Sequence, residues 1–331
     1  MGVMLRTRRR RRPRLLLYLA PPLAALLCAW LLLAGGGLFG TWAYVGMAVV
    51  LLAVAFGLGF RAWLASVALM FACYFVASLA LYTPTPLRWE SVPAAVAPRV
   101  LYPSPDEPSL ARLRAEQQLD AMVAGAGSDL ERLRRVVHWA NGRFAHDSNN
   151  AASKADALTI LAEAAQGQRF RCVEFSVVTA AAAQSLGLPA RVLHLKRADM
   201  ETARAGAGHV VAEVWLPSWG KWVMADGQWD VVPVAGGLPL NAVELQRALA
   251  ERRLDLRVSA DLLPIKEATY LPWVAPYLYH FDYNLDQRPG GDLGVVMLAP
   301  AGAPEPRNFQ GTSLGAYKYF LHDPALFYQA P

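Results

Sequence analysis

From Leu15 to Tyr82 a single charged side chain, Arg61, interrupts an otherwise uncharged and mostly apolar block, and nothing else in the chain limits its folding so strongly. Residues 15–34 (LLLYLAPPLAALLCAWLLLA), at about 1.5 Å per residue, make a helix of roughly 30 Å, the thickness of a bilayer's hydrocarbon core. Pro21 and Pro22 kink this helix near its first turns without forbidding it. Residues 38–82 as one helix would run about 68 Å, more than twice that thickness. They therefore divide into two spans, near 41–59 and 63–82, joined tightly at Gly57-Leu58-Gly59-Phe60-Arg61. The expectation is three transmembrane helices.

Charge sets their orientation. Residues 1–14 form a basic arm, with seven arginines between Arg6 and Arg14, and the positive-inside rule keeps it cytoplasmic. The first loop, Gly35–Thr41, is uncharged, Arg61 returns to the cytoplasmic side, and the third span delivers the rest of the chain outside. Two spans would instead leave Arg61 at membrane depth, at a cost of about 2.5–3.5 kcal/mol. A cleaved signal peptide fits less well, because no small-x-small site follows a short apolar region.

The same block explains the composition. The chain is 55% hydrophobic, its mean hydropathy is +0.24 and its net charge is +6. Residues 1–82 contain eight arginines and no acid, so residues 83–331 carry −2. The folded part offers no net positive field, which argues against nucleic acid as a partner. Residues 83–108 follow with prolines at 84, 86, 93, 98, 103, 105 and 108, the signature of an extended, semi-rigid spacer.

Beyond the spacer the pattern turns to helices and then strands, which predicts an α+β domain. Helical periodicity marks residues 109–124, 129–144 and 155–166, and alternation marks strands at 191–195, 209–216 and 221–226. Between them lies RCVEFSVVTAAAAQSLGLPAR (171–191), apolar almost all round, which predicts a helix at the centre of a core. Gly187 fits its left-handed end, and Pro189 stops it from continuing. Cys172 then falls at the helix start, where unpaired N–H groups and the helix dipole favour negative charge. Cys28 and Cys73 lie in the apolar block, so Cys172 has no intrachain disulfide partner, and no Cys/His cluster suggests a metal.

His209 opens a strand. If 209–216 and 221–226 form a hairpin around Pro217-Ser218-Trp219-Gly220, Leu216 faces Lys221 and the register places Val211 opposite Asp226. His209 shares the face of Val211, so Asp226 becomes its diagonal neighbour, at roughly 7–8 Å. Thiol, imidazole and carboxylate together are the parts of a nucleophilic site. The Cys172 N–H, with a side chain from Gln168 or Gln166, is the candidate oxyanion hole. Glu213, on the His209 face, is the reserve acid. Arg171, Trp215 and Trp222 are candidates for a substrate groove, with Trp219 and Trp229 in the same cluster. His138, His146 and His194 are read as structural. In YLYHFDYN, Tyr277, Tyr279, Phe281 and Tyr283 alternate onto one face and predict a strand capping the core, while 284–331 reads as an irregular extension.

The blocks C-x-x-F-S (172–176), L-G-L-P-A-R (186–191), G-H-V-V-A-E-V-W (208–215) and W-V-M-A-D (222–226) resemble the core of the transglutaminase-like superfamily. The resemblance covers about 129–232 and implies a papain-like domain, here 109–283, with helices packed on a small antiparallel sheet. It implies Cys172 as nucleophile, His209 as base and Asp226 as orienting acid, with no cofactor and no metal. Animal transglutaminases carry Gln and Trp beside the cysteine, where this chain has Arg171 and Val173, and no calcium-binding acidic cluster is apparent. Bacterial hydrolase-like members are the nearer comparison. The implied function is acyl transfer at amide bonds of a protein, peptide or cell-envelope substrate through a thioester, with hydrolysis favoured over crosslinking. The expected location is a bacterial inner membrane, with the lipid bilayer as partner and the domain on the periplasmic side. The alternative is a non-catalytic binding module of a membrane complex.

Overall fold

A computed structural model describes residues 84–91, 97–253, 255–258 and 265–331. The three expected membrane spans lie outside the described residues, and among those described no helix is long and apolar enough to cross a membrane. In chain order the helices α1 (Pro108–Glu116), α2 (Leu119–Val123), α3 (Asp129–Asn141), α4 (Ala157–Ala164) and α5 (Cys172–Ser185) precede strands β1 (Ala190–Lys196), β2 (Gly208–Leu216) and β3 (Lys221–Ala225). Then come α6 (Ala242–Ala250), α7 (Ile265–Val274), β4 (His280–Asn284), β5 (Val295–Leu298), β6 (Tyr319–Leu321) and the short α8 (Pro324–Phe327).

Helix α5 is the hub, as its composition predicts. Ala180 and Ala183 let it lie close on β2, where they pack with Ala212, Val214 and Leu216 and with Leu133 and Val137 of α3. Val178, Ala182 and Leu186 serve a second core with Leu113, Leu119, Val136 and Ile160. The helix ends as the glycine requires. Gly187 has φ +80°, Leu188 N–H donates to Ala183 O at 3.0 Å, and Gly187 N–H donates to Gln184 O at 2.9 Å. These are the two bonds of a Schellman stop.

The sheet has six strands in the order β6-β5-β4-β1-β2-β3, antiparallel except for the β5–β6 pair. Its other face carries a third core, in which Leu193, Val211 and Met224 meet Val243, Tyr270, Val274 and Phe281. The hairpin register is the one expected, with Leu216 opposite Lys221 and Ala212 opposite Ala225.

Several expectations need correction. The single helix over 109–124 is two, broken at Gln118, which has φ +51°. Leu113 and Leu119 are both buried, yet on a continuous helix they would point about 120° apart, and the left-handed step brings both inward. The segment 280–284 is a central strand rather than a cap, because β5 pairs along its outer edge; Tyr277 and Tyr279 lie outside it. Residues 284–331 are not merely irregular, since they supply β5 and β6. Nor is the proline-rich stretch a free spacer. Its described parts, residues 84–91 and 97–107, are laid along the domain: Glu90 N–H donates to His322 O at 2.9 Å, Leu101 N–H to Leu285 O at 2.8 Å, and Gln246 Nε2 to Thr85 O at 2.9 Å.

Candidate active site

Cys172 occupies the first position of α5 as a free, half-buried thiol. Glu174, two positions on, reaches back to the Arg171 N–H at 3.1 Å and pairs with its guanidinium at 2.7 Å, which fixes the chain's entry into the helix. Phe170 anchors the approach: its N–H donates to Ala145 O at 3.1 Å, and its carbonyl accepts from Asp147 N–H at 2.7 Å. The cysteine therefore stands on a helix clamped at both sides of its start.

His209 and Asp226 are both buried, and Nε2 of the imidazole lies 2.6 Å from Asp226 Oδ2. Cys172 lies close enough to the same imidazole to raise its pKa. With Nε2 on the carboxylate, Nδ1 is the nitrogen left for the sulfur. The structure thus brings together the three residues on which the sequence reading converged.

Asp226 is held by more than His209. Its Oδ1 accepts from the backbone N–H groups of Gln228 (3.1 Å) and Trp229 (3.2 Å), and Oδ2 also accepts from the Tyr270 hydroxyl at 2.9 Å. The loop that makes this possible is pinned from below. Asn141 Nδ2, at the end of α3, donates to Gly227 O at 3.1 Å and Gln228 O at 2.8 Å. Gly227 passes so close to α5 that a Cβ there would sit 2.4 Å from Thr179 Oγ1 and 3.2 Å from Phe175 O. Only glycine brings Asp226 this near the cysteine helix.

Burial alone would push the imidazole of His209 down. The Asp226 carboxylate and then Cys172 outweigh it, and the ring titrates at about 9. Aromatic rings exclude water around it: Trp273 meets the ring edge-on at 4.7 Å, and Tyr277 lies at 6.0 Å. Such a set can deliver a sulfur nucleophile, move a proton through one imidazole and hold that imidazole in a single orientation.

The other candidates fall elsewhere. Gln168 and Gln166 are exposed on the turn before Cys172, and Gln168 Oε1 accepts from Asn150 Nδ2 at 3.1 Å, so neither side chain joins the triad. Of the expected oxyanion candidates, the Cys172 N–H stands at the helix start, where a helix leaves it without an internal acceptor. Arg171 is half-buried and pairs with Glu174. Trp215 and Trp222 pack edge-to-face at 5.8 Å at the far end of the hairpin, and Trp222 Nε1 donates to Gln329 O at 2.8 Å. Six residues of strand, about 20 Å, separate Trp215 from His209, so these rings form no groove at the thiol. Glu213 is also removed from the acid role. Arg191 Nη2 pairs with its Oε2 at 2.6 Å, while Tyr328 OH (3.0 Å) and Ala242 N–H (3.2 Å) take Oε1.

Some site residues had no signal in the sequence. Tyr270 and Trp273 come from α7 and Tyr277 from the turn after it, across the sheet from α5, and only their helical spacing in YLPWVAPY (270–277) could have suggested a shared face. His146 lies close enough to His209 and Asp226 to sense their charge, and its own imidazole is held down by burial and then by His209. It is a neighbour of the site rather than a remote structural residue.

Residues 116–227 match the family model described as the transglutaminase-like superfamily. None of the curated proteins matches the chain. Among solved structures, one described as a "putative cysteine protease" from Cytophaga hutchinsonii aligns at 15% identity and TM-score 0.30, over 43% of this chain and 46% of that one. A second, described as a TGase, aligns at 23% identity and TM-score 0.27, over 36% of this chain and 31% of that one. The chain thus spans less than half the length of either. The matched segment runs from α1 to the glycine after Asp226 and holds Cys172, His209 and Asp226 in that order, and so this chain carries a transglutaminase-like domain over residues 116–227.

Proposed function

We propose that this protein is a membrane-anchored cysteine acyl-transfer enzyme that cleaves amide bonds of a protein, peptide or cell-envelope substrate, with water as the acceptor. The observation that carries the reading is the buried His209–Asp226 pair, 2.6 Å apart, with Cys172 at the start of α5 close enough to act on the same imidazole, set inside the transglutaminase-like segment. At neutral pH His209, which titrates at about 9, already holds the proton, and in the first half-reaction the Cys172 sulfur attacks the amide carbonyl carbon. The negative charge then forming on the carbonyl oxygen faces the start of α5, where the Cys172 N–H and the helix dipole stabilise it. Collapse breaks the C–N bond, the His209 proton goes to the departing amine, and an acyl thioester remains on Cys172. In the second half-reaction His209 takes a proton from water, the hydroxide adds to the thioester, and the proton returns to sulfur as the acid leaves. Asp226 keeps the ring in register and stabilises the imidazolium in both halves.

Hydrolysis is favoured over crosslinking because Arg171 and Val173 replace the Gln and Trp that flank the cysteine of animal transglutaminases. The apolar block of residues 15–82, charged only at Arg61, behind an arginine-rich arm supports anchoring in a bacterial inner membrane with the domain outside the cytoplasm. The test is to incubate the full chain with a panel of peptide and cell-envelope amides and to look by mass spectrometry for an acyl adduct on the Cys172 peptide. A hydroxylamine-labile adduct, absent in Cys172→Ala, is expected. Amide binding without any adduct or turnover would favour the non-catalytic module instead.

A further inference from the structure

Helix α7 lies outside the segment that matches the family, yet two of its side chains close the site. Tyr270 is fully buried and donates to Asp226 Oδ2 at 2.9 Å, the oxygen that also meets His209 Nε2 at 2.6 Å. One turn on, Trp273 meets the His209 ring with centroids 4.7 Å apart and planes at 74°. Residues three apart share a helix face. One face of α7 therefore holds the carboxylate through a hydroxyl and the imidazole through an indole. Packing alone does not call for that hydroxyl, since phenylalanine has the same shape without the oxygen. What the oxygen adds is a third donor to Asp226 from outside the His209 pair, after the two N–H groups that fix Oδ1.

We propose that Tyr270 is a positioning residue of this site: its hydroxyl locks the Asp226 carboxylate so that Oδ2 stays on His209 Nε2, while Trp273 restrains the ring so that the other nitrogen is left for Cys172. The proposal rests on the reading of Cys172 and His209 as nucleophile and base. Burial, and then the charge of Asp226, hold the Tyr270 phenol well above its ordinary range, so it remains a donor wherever His209 titrates. The groups that face His209 are Asp226 from the end of β3, Cys172 from α5, Tyr270 from α7, Tyr277 from the turn after it, and His146 from the loop after α3. Of these, Tyr270 alone bonds to the carboxylate oxygen that His209 uses. Removing its hydroxyl concentrates the carboxylate's charge on the imidazolium, and a stronger donor in its place does the reverse.

The test is an NMR titration of the ring of His209 in the full chain labelled at histidine, with the His209→Gln spectrum identifying the signal. Tyr270→Phe should move the titration up by about 0.5–1 pH unit. Site-specific 3-fluorotyrosine in place of Tyr270, a stronger donor of nearly the same shape, should move it down. A purely structural role would not give opposite signs for two near-isosteric changes, and unchanged titration in both would overturn the proposal. Iodoacetamide alkylation of Cys172, followed by peptide mass spectrometry in the same samples, separates the two levels. If His209→Gln leaves the alkylation rate unchanged, the nucleophile–base reading fails and the proposal with it. If that rate falls while both Tyr270 changes leave the titration unmoved, only the positioning role fails.

Discussion

Replacing Gly227 by alanine probes the contact that sets the whole site. The new Cβ would stand 2.4 Å from Thr179 Oγ1 and 3.2 Å from Phe175 O, and real Cβ atoms essentially never approach within 3.0 Å. The gap to Thr179 must therefore open by about 0.6 Å or more, in an interior packed at crystal density. Thr179 is fully buried and its hydroxyl donates to Phe175 O at 2.7 Å, so it cannot swing away without losing that bond. Overpacking of this kind costs about 1–3 kcal/mol. The smaller entropy of the unfolded alanine chain returns about 0.4–1 kcal/mol, which leaves a net loss between about 0 and 2.6 kcal/mol, so the coupling to Thr179 is the sharper readout. The assay is urea denaturation of the full chain followed by tryptophan fluorescence, run as a double-mutant cycle with Thr179→Ala. Removing Oγ1 should relieve the clash, giving a coupling of about 1 kcal/mol or more, whereas Thr179→Val, which keeps an atom in that place, should give none. Equal couplings for the alanine and valine partners would refute the close passage of the Asp226 loop against α5.

Three further outcomes are expected. His209 titrates at about 9 in the fold against an ordinary value of 6.5, so it contributes stability that is complete below about pH 6.5 and fades as pH rises through 9. The magnitude is on the order of 3 kcal/mol, and the denaturation midpoint should fall between pH 6 and pH 10 by more in the parent than in His209→Gln. Glu213→Ala should cost about 3–5 kcal/mol, because it leaves Arg191 charged and buried without its partner; a loss below about 1 kcal/mol by denaturation would contradict the structural role assigned to that pair. A reporter enzyme active only outside the cytoplasm, fused after Thr83, should be active, and a reporter that works only in the cytoplasm would overturn the three-span arrangement.

What the sequence made legible was local or short-range in register. Helix α5 could be read because its apolar run, Gly187 and Pro189 are contiguous. The β2–β3 hairpin could be read because one turn fixes every pairing after it, and with it the relation of His209 to Asp226. The same alternation put Glu213 on the His209 face, and periodicity cannot choose between two acids there. The choice is made by Arg191, which reaches Glu213 from β1, by Tyr328 near the C-terminus, and by the backbone of α6. Strands β5 and β6 escaped notice because they are only four and three residues long, too short for an alternation to stand out. Trp215 and Trp222 suggested a groove because aromatic residues cluster in both grooves and packing; their distance from Cys172 along the strand is what separates the two. Tyr270 and Trp273 belong to the site through contacts across the sheet, where no local rule reaches.

The central claim is that His209 activates Cys172. It is tested most directly by the rate at which iodoacetamide alkylates Cys172 in the full chain at pH 7, resolved from Cys28 and Cys73 by peptide mass spectrometry. A rate at least about ten-fold lower in His209→Ala than in the parent is predicted; equal rates in the two proteins would contradict it.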